Sequence, residues 1–162
     1  MIGYSGSGKT HLIEFLIKKF KTELNLEVSV VKYIHEHRID EEGKDSFKFS
    51  EAGAVFSVIK NKFNQNAIYL NKKISLEALI DWLNKSPFNV DLIIIEGFRD
   101  APYPTILCVK EFKDIEVQLN KNVKLISGLI ALNKISKERE DQIPIFSIQQ
   151  NFKRFINKFN IS

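Results

Sequence analysis

Residues 3–10 read Gly3-Tyr4-Ser5-Gly6-Ser7-Gly8-Lys9-Thr10, which matches the pattern GxxxxGK followed by Ser or Thr at every fixed position. Glycines allow the backbone to curl so that successive N–H groups point at phosphate oxygens, and a following helix adds its positive dipole end. In this pattern Lys9 reaches the β- and γ-phosphates, and the Thr10 hydroxyl binds Mg²⁺. A glycine- and serine-rich turn that matches by chance is the alternative. Because an amphipathic helix is predicted over residues 10–20, we interpret the stretch as a nucleotide-phosphate loop.

The residues before this loop are too few for an ordinary strand. Such a loop normally follows a strand inside the sheet, but only Met1 and Ile2 precede Gly3. At about 3.3 Å per residue they form a stub. Either the start is truncated, or the sheet tolerates a very short first strand.

Length and composition predict one globular domain over residues 1–162. The chain is 44% hydrophobic and 27% charged, which excludes disordered and fibrous classes, and it is long enough to bury a core. The single cysteine, Cys108, excludes a disulfide framework and favours a reducing, cytoplasmic compartment. No run reaches the roughly 18 apolar residues that span a bilayer, and the first residues lack a signal-peptide pattern.

The net charge of +4 suits a phosphate-bearing ligand or an acidic partner. The basic residues are mostly lysines spread along the chain, without a block of five like charges. We therefore expect neither a nucleic acid nor a membrane as partner.

Apolar runs alternate with helical patterns along the chain, which is typical of a parallel sheet covered by helices. Asp45 and Ser75 are predicted helix caps, and the apolar run before Glu96 predicts a strand buried on both faces. Strands are predicted at residues 28–34, 54–60, 91–97, 105–109 and 125–132, with an edge strand at 143–146, and helices at 10–20, 45–52, 76–83 and 148–159. The fold class that follows is α/β, a three-layer P-loop NTPase fold with a mostly parallel sheet and a truncated first strand.

Two acidic positions are candidates for a magnesium site. Glu96 closes the run Leu92-Ile93-Ile94-Ile95, so the strand would carry it to the ligand edge of the sheet, although a solvated strand-end glutamate is the alternative. Asp40 lies in the polar segment 35–44 and could supply a second carboxylate. His35 and His37 in that segment are a weak zinc signal, and a solvated loop is the better interpretation.

Other candidates are weaker. Lys32, at a strand end, could meet phosphate or lie on the surface. Residues 133–136 read Asn-Lys-Ile-Ser and are similar to the guanine-reading NKxD motif, but serine replaces its aspartate. Cys108 reads as a small buried hydrophobe rather than a nucleophile. Arg38 and Arg99 each lie beside a candidate acidic residue, and we find no arginine finger within the motifs themselves.

Three segments together resemble the MobB family, the nucleotide-binding adapters of molybdopterin-guanine dinucleotide biosynthesis. They are GYSGSGKTHLIEFLI, VVKYIHEHRIDEEGKDSFKFSEAGA and DLIIIEGFRDAPYPTILCV, and they cover roughly residues 1–110. The order GKDS, then EAGA, then EGF is more specific than the phosphate loop alone. The chain departs from the family at Tyr33, where His is common, and at Glu42, where Pro is common.

The resemblance implies a protein that binds GTP with Mg²⁺, has weak GTPase activity and forms a homodimer. The implied partner is the molybdenum cofactor guanylyltransferase or another molybdopterin-bearing protein. Lys9 and Glu96 would be the catalytic residues, and Thr10, Asp40 and Glu96 the metal ligands. The expected nucleotide-binding residues are Ser5, Gly6, Ser7, Gly8, Lys9, Thr10 and His11. A small P-loop kinase acting on a metabolite, or a scaffold with a vestigial nucleotide site, are the rival interpretations.

Overall fold

The computed structural model describes residues 1–133 and 143–162, which form two compact units. Unit 1 comprises Met1–Tyr33 and Phe88–Ser162, and unit 2 comprises Ile34–Pro87. The single domain expected over residues 1–162 stays a prediction.

Unit 1 contains four parallel strands and three α-helices among its described residues. The first helix, α1 at Lys9–Lys19, runs directly into a short π-helix at Phe20–Leu24, and a 3₁₀-helix occupies Leu129–Asn133. The elements are α1 (Lys9–Lys19), β1 (Val28–Lys32), β4 (Leu92–Glu96), β5 (Thr105–Cys108), α4 (Lys113–Gln118), β6 (Val123–Ser127) and α5 (Phe152–Phe159).

Met1 and Ile2 connect the two strand pairs of unit 1. β1 pairs with β4 from Val28↔Leu92 to Lys32↔Glu96, and β5 pairs with β6, both in parallel. Between the pairs, the Ile2 N–H donates to the Ile106 oxygen at 3.0 Å, and the Gly97 N–H donates to the Met1 oxygen at 3.1 Å. Two residues therefore take the place of a strand between β4 and β5, and the phosphate loop starts at the carboxyl end of that position.

Helices cover both faces of this sheet. On one face α1 and α5 pack against Ile106, Cys108 and Leu125, in a cluster that includes Phe20 and Phe155. On the other face, Leu107 and Ile126 pack with residues of α4 and of the 3₁₀-helix. Successive strand residues point to opposite faces, so one β-branched and aliphatic sheet supplies both cores. This three-layer arrangement confirms the predicted α/β fold class.

Unit 2 contains an antiparallel hairpin and two helices. The hairpin pairs β2 with β3 from Phe56↔Leu70 to Lys60↔Asn66. The Ser75 hydroxyl accepts a hydrogen bond from the Ala78 N–H at 3.1 Å, which confirms the predicted cap. The elements are α2 (Asp45–Glu51), β2 (Phe56–Lys60), β3 (Asn66–Leu70) and α3 (Leu76–Asn84).

Several predicted boundaries are wrong for local reasons. The strand expected at 125–132 ends at Ser127, because Gly128 turns with φ +90° into the 3₁₀-helix. The strand expected at 28–34 ends at Lys32. Lys44 rather than Asp45 is the N-cap of α2, and no side chain caps that helix.

Burial and pairing also differ from expectation in places. The apolar residues of β4 are half-buried rather than buried on both faces. Ile148 precedes α5, which begins at Phe152. β3 and α4 had no predicted counterpart. At the predicted edge strand, Ile145 forms a parallel bridge with Ile126, on the open side of β6 where proline is tolerated. Within residues 1–133 and 143–162, no helix has both the length and the apolar character to cross a membrane.

Candidate functional site

The phosphate loop is shaped by three glycines with positive φ. Gly3, Gly6 and Gly8 have φ values of +144°, +73° and +92°. A Cβ atom on Gly3 would lie 2.1 Å from the Cys108 carbonyl oxygen, so only glycine lets the loop rest on the end of β5. A Cβ on Gly6 would meet nothing within 4 Å. The loop is therefore packed at its base and open at its tip.

The backbone of this loop keeps hydrogen-bond donors for a ligand. The Ser7 N–H donates to the Tyr4 oxygen at 3.3 Å, whereas the N–H groups of Gly6 and Gly8 have no acceptor among the described residues. The Ser7 hydroxyl is buried, at 2% exposure for the residue, and has no hydrogen-bond partner in the described part of the chain. Buried polar atoms without partners are rare, so this concave backbone suits an anion with several acceptor oxygens.

Lys9 closes over the loop from the first turn of α1. Its Nζ donates to the Gly3 oxygen at 2.8 Å and to the Tyr4 oxygen at 2.9 Å. An ammonium group has three hydrogens, so one donor remains beyond these two carbonyls. Lys9 is thus fixed at the mouth of the loop, where it can contribute positive charge to a bound phosphate.

The remaining predicted nucleotide-binding residues lie on the same continuous segment. Ser5 is exposed beside Gly6, and Thr10 and His11 are exposed in the first turn of α1. Gly8 is the N-cap of this helix, without a capping side chain. The unsatisfied N–H groups of that first turn and its dipole therefore face the same region as the loop.

Glu96 is buried rather than solvated. The residue is 5% exposed at the carboxyl end of β4, and its carboxylate oxygen Oε2 lies 3.6 Å from the Nζ of Lys32 at the end of β1. The strand register places these two residues opposite each other. Gly97 follows with φ +90° and donates to the Met1 oxygen, which anchors Glu96 next to the strand position that leads into the loop.

Lys9 and Glu96 both lie close enough to Cys108 to influence the pKa of its thiol. Burial raises the pKa of the Cys108 thiol from 9.0 to about 12, and the Lys9 ammonium and the Glu96 carboxylate act on it with opposite signs. The fold thus brings both predicted catalytic residues to the same end of the sheet. Cys108 itself is fully buried among apolar side chains, which confirms the prediction that it is a small buried hydrophobe.

Asp40 belongs to unit 2. Its Oδ1 accepts hydrogen bonds from the Glu41 N–H at 2.9 Å and from the Ser46 hydroxyl at 3.0 Å. Its Oδ2 is buried without a hydrogen-bond partner among the described residues, so a carboxylate oxygen remains to bind a cation. A role of Asp40 beside Mg²⁺ in unit 1 stays a prediction.

The other polar candidates of unit 2 form no metal cluster. The Nδ1 of His37 lies 2.9 Å from the Arg38 carbonyl oxygen. Arg38 pairs with Glu51 at 3.7 Å and lies over the ring of Phe47. Among residues 1–133 and 143–162, no group of three or more His, Cys, Asp or Glu side chains is placed to hold a metal ion.

Arg99 has a structural role in unit 1. Its guanidinium donates to the backbone oxygen of Gln118 at 2.9 Å and to the side-chain oxygen of Gln118 at 3.1 Å. It therefore ties the segment after β4 to the end of α4. Lys134 and Ser136 of the motif similar to NKxD lie outside the described residues.

One support of the phosphate loop has no counterpart among the predictions made from sequence. The Leu129 N–H donates to the Ser7 oxygen at 3.3 Å, and a Cβ on Gly128 would lie 2.6 Å from that same oxygen. The Ser-Gly pair at the end of β6 could have predicted this contact, because a glycine at a strand end permits a turn and a close approach of another backbone segment.

The sequence of this chain also matches a known protein family. Residues 1–132 match the sequence profile of the family described as molybdopterin guanine dinucleotide synthesis protein B, MobB. The chain belongs to the MobB family. Over the whole described fold, it is similar to the crystal structure of Bacillus subtilis MobB, with a TM-score of 0.71, 23% identity, and coverage of 99% of this chain and 96% of that chain. This likeness supports the fold.

Two relatives of this MobB chain carry names that state a role. It is 39% identical over 108 residues to the molybdopterin-guanine dinucleotide biosynthesis adapter protein of Haemophilus influenzae, which covers 65% of this chain and 58% of that protein. It is 33% identical over 102 residues to the putative adapter protein of the same name from Methanocaldococcus jannaschii, covering 62% of this chain and 40% of that protein. The matched segments therefore span about half the length of these relatives.

Proposed function

We propose that this protein is an adapter of molybdopterin-guanine dinucleotide biosynthesis, and that its phosphate loop binds GTP with Mg²⁺ in the cytoplasm. Membership of the MobB family and the names of the two relatives support the pathway. The guanine-containing product in those names favours GTP over ATP. The observation that carries the nucleotide site is the loop of residues 3–10, with donors at an open tip and Lys9 at its mouth.

The residues present fit a nucleotide phosphate. The unpartnered hydroxyl of Ser7 and the free N–H groups of Gly6 and Gly8 offer donors to phosphate oxygens. Lys9 would stabilise negative charge on the γ-phosphate with its remaining hydrogen, without leaving its two loop carbonyls. Ser5 and His11 flank this set.

Thr10 and Glu96, with Asp40 as the further candidate, would hold Mg²⁺ directly or through water. The ion would supply positive charge to offset that of the phosphates, and one or two carboxylates with bound waters are the ligands that Mg²⁺ usually takes. Glu96, as a buried carboxylate near Lys9, would also position the attacking water. The buried side chain is held by its strand, so it needs no rearrangement to serve this role.

Hydrolysis is expected to be slow. The guanidinium of Arg99 is engaged by Gln118, and that of Arg38 by Glu51. An arginine that stabilises the transition state accelerates GTP hydrolysis by about 10³- to 10⁵-fold, and the described phosphate loop carries none. This supports an adapter whose nucleotide state matters more than its turnover.

The test of the nucleotide site is Lys9→Ala, with Lys18→Ala as the matched control on the exposed side of α1. Isothermal titration with GTP and Mg²⁺ should show binding by the wild type and by Lys18→Ala. Charge-assisted hydrogen bonds are worth about 1.5–3 kcal/mol, so Lys9→Ala should lose at least tenfold in affinity and fall below detection for a weak ligand. Unchanged affinity in a folded Lys9→Ala protein would contradict the assignment.

The proposed partner is the guanylyltransferase of the molybdenum cofactor, or a protein that carries molybdopterin. An adapter transfers no group itself, whereas a small P-loop kinase would phosphorylate an acceptor. Incubation of the purified protein with labelled GTP and a panel of small acceptors, molybdopterin included, should leave every acceptor unlabelled. A labelled acceptor would favour the kinase.

We also propose that the protein forms a homodimer through the hairpin of unit 2. Phe56, Val58 and Ile68 share one face of this hairpin and are each at least half exposed, while Ser57 on the opposite face is buried. A two-stranded hairpin is marginally stable by itself, and an apolar face of this kind favours burial against another surface. A second copy supplies an identical apolar face, in a symmetric contact.

A further inference from the structure

An open cavity lies at the amino edge of the sheet in unit 1, at the opposite end from the phosphate loop. Its volume of about 480 Å³ falls within the range of clefts that bind ligands. From Val123 at this cavity, β6 runs about 13 Å to Ser127, and the next residue, Gly128, approaches the phosphate loop. An occupant of the cavity therefore leaves the nucleotide site free. The lining includes Leu119, Lys121, Val123, Lys124, Ile143 and, from the last turn of α5, Lys158.

The floor of this cavity is apolar. Val123 is 3% exposed and belongs to the buried cluster on the α4 face of the sheet, and the half-buried side chains of Leu119 and Ile143 pack against the same cluster. Because these side chains are held by the core, they keep their positions without an occupant. The floor therefore offers a preformed surface to an apolar side chain.

The rim of the cavity is basic. Lys121, Lys124 and Lys158 are exposed, and none of them forms an ion pair with a carboxylate of residues 1–133 or 143–162. By contrast, Lys113 of the neighbouring α4 pairs with Glu111 at 2.7 Å. The described lining also contains no Asp or Glu. Three positive charges around an apolar floor favour an occupant that carries several negative charges and an apolar group.

Hydrogen bonds fix the turn that carries Lys121. The Asn120 Nδ2 donates to the Arg99 oxygen at 3.0 Å, and the Asn120 Oδ1 accepts from the Asn122 N–H at 3.0 Å. The Asn122 Nδ2 donates to the Ala101 oxygen at 3.0 Å. A surface that is ordered before binding loses less conformational entropy when its partner arrives. The backbone of this rim therefore needs no rearrangement to receive an occupant.

The lining favours a peptide over a nucleic acid. Surfaces that bind single-stranded nucleic acids combine basic groups with aromatic rings on which the bases stack, and they often use arginine. The described lining of this cavity has neither an aromatic ring nor an arginine. Lysines act as point charges on flexible stems, which suits carboxylates whose spacing is not fixed. Aliphatic side chains between them suit a side chain such as leucine.

We propose that this cavity is the docking surface for an acidic segment of a partner protein. An apolar side chain of that segment would pack on the apolar floor, and its carboxylates would lie beside the three lysines of the rim. The inference deepens the proposed adapter role, and it rests on that role for the existence of a partner. Since the two sites lie at opposite ends of the sheet, the protein can hold a nucleotide and a partner at the same time.

The experiment removes the positive charges of the rim and measures binding of a defined peptide. The rim variant combines Lys121→Gln, Lys124→Gln and Lys158→Gln. The control variant changes the net charge equally at three exposed lysines elsewhere, with Lys18→Gln, Lys72→Gln and Lys153→Gln. The probe is a fluorescein-labelled peptide with four glutamates on each side of one leucine, followed by fluorescence anisotropy.

The rim variant should bind this peptide at least about fivefold more weakly than the wild type, because each exposed ion pair contributes up to about fivefold in affinity. The control variant should stay within about twofold. Higher salt should weaken binding by the wild type, and serine in place of the leucine should weaken it further. Equal binding by the rim and control variants, or no loss with the serine peptide, would overturn the proposal.

Other occupants are separate outcomes of this test. Tighter binding of an oligothymidylate with eight phosphates than of the peptide, lost in the rim variant, would assign the cavity to a nucleic acid and overturn the proposal. A wild type that ignores the peptide, together with a rim variant of altered oligomeric state in light scattering, would assign it to a second copy of the chain. If the rim variant does not fold, Lys124→Gln against Lys153→Gln makes the same comparison with one charge.

Calorimetry with GTP on the same proteins separates this proposal from the nucleotide site. The rim variant should bind GTP as the wild type does, because its substitutions lie at the other end of the sheet. A wild type that binds GTP but not the peptide would overturn the docking surface alone. A wild type that binds the peptide through the rim lysines but binds no GTP would refute the nucleotide site and leave the docking surface standing.

Discussion

Glu96 is buried at the end of β4, and Lys32, whose Nζ lies 3.6 Å from Glu96 Oε2, is half exposed. Keeping a carboxylate at the end of β4 costs solvation energy that a neutral residue would not lose. A bound divalent cation nearby would offset that cost. Substitution of Glu96 is therefore the most direct test of the metal site.

We predict that Glu96→Gln weakens the dependence of GTP binding on Mg²⁺. The amide keeps the shape of the side chain but removes its charge, so the tightening of GTP binding by Mg²⁺ should fall by about tenfold or more. Titrations in Mg²⁺ and in EDTA measure this ratio, with the exposed Glu111→Gln as control. An unchanged ratio in Glu96→Gln would remove Glu96 from the metal site.

Gly128 gives a second prediction at this scale, matched to Gly53. Both have φ near +90°, but a Cβ on Gly128 would lie 2.6 Å from the Ser7 oxygen, whereas one on Gly53 meets nothing within 4 Å. Gly53→Ala should therefore cost only the left-handed strain, about 1–2 kcal/mol. Gly128→Ala should cost more in urea unfolding and should also weaken GTP binding, because it displaces the phosphate loop. Equal costs in the two variants would show that the contact with Ser7 is unimportant.

At the scale of single residues, the sequence predicts the site residues that have a fixed spacing in a motif. It misses the contacts that depend on the packing of distant segments. Lys9 and Thr10 follow from the loop pattern, and Glu96 follows from the apolar run before it. The contact between Gly128 and Ser7 joins residues that are far apart in the chain, so no local pattern announces it. The engagement of Arg99 by Gln118 is hidden in the same way.

At the scale of elements, strong periodicity or long apolar runs were sufficient to predict α1, β4 and α3. β3 was missed because Asn66–Leu70 alternates little in polarity and pairs only through the neighbouring β2. The six residues of α4 are too few for a clear helical period. The short first strand could be recognised as abnormal from sequence, but its bridging of β4 and β5 depends on hydrogen bonds to residues distant in the chain.

The hairpin of unit 2 carries the prediction at this scale. Val58→Glu places a charge on the apolar face shared by Phe56 and Ile68, so burial of that face against a second copy would become unfavourable. Light scattering at micromolar concentration should show a dimer for the wild type and a monomer for Val58→Glu. Val117→Glu is the matched control, because Val117 in α4 of unit 1 is also largely exposed, at 72% against 63% for Val58. A monomeric wild type, or a dimeric Val58→Glu, would contradict this interface.

For the molecule as a whole, the sequence profile shows the MobB family, and the fold is like that of a solved MobB structure. The net charge of +4 is consistent with a protein that holds phosphates, although charge alone does not select a ligand. The pattern at 133–136 has Ser136 in place of the aspartate that reads guanine, so this pattern by itself does not predict a preference for GTP. The choice of nucleotide is therefore where a measurement is most informative.

The most direct measurement is a competition between GTP and ATP for the purified protein in the presence of Mg²⁺. Its readout is the displacement of a fluorescent GTP analogue from the protein. We predict that GTP displaces the analogue at a concentration at least tenfold lower than ATP does. Lys9→Ala should not bind the analogue, and the exposed-helix control Lys18→Ala should behave as the wild type. Equal displacement by ATP, or no Mg²⁺-dependent binding of either nucleotide, would contradict a GTP-binding adapter.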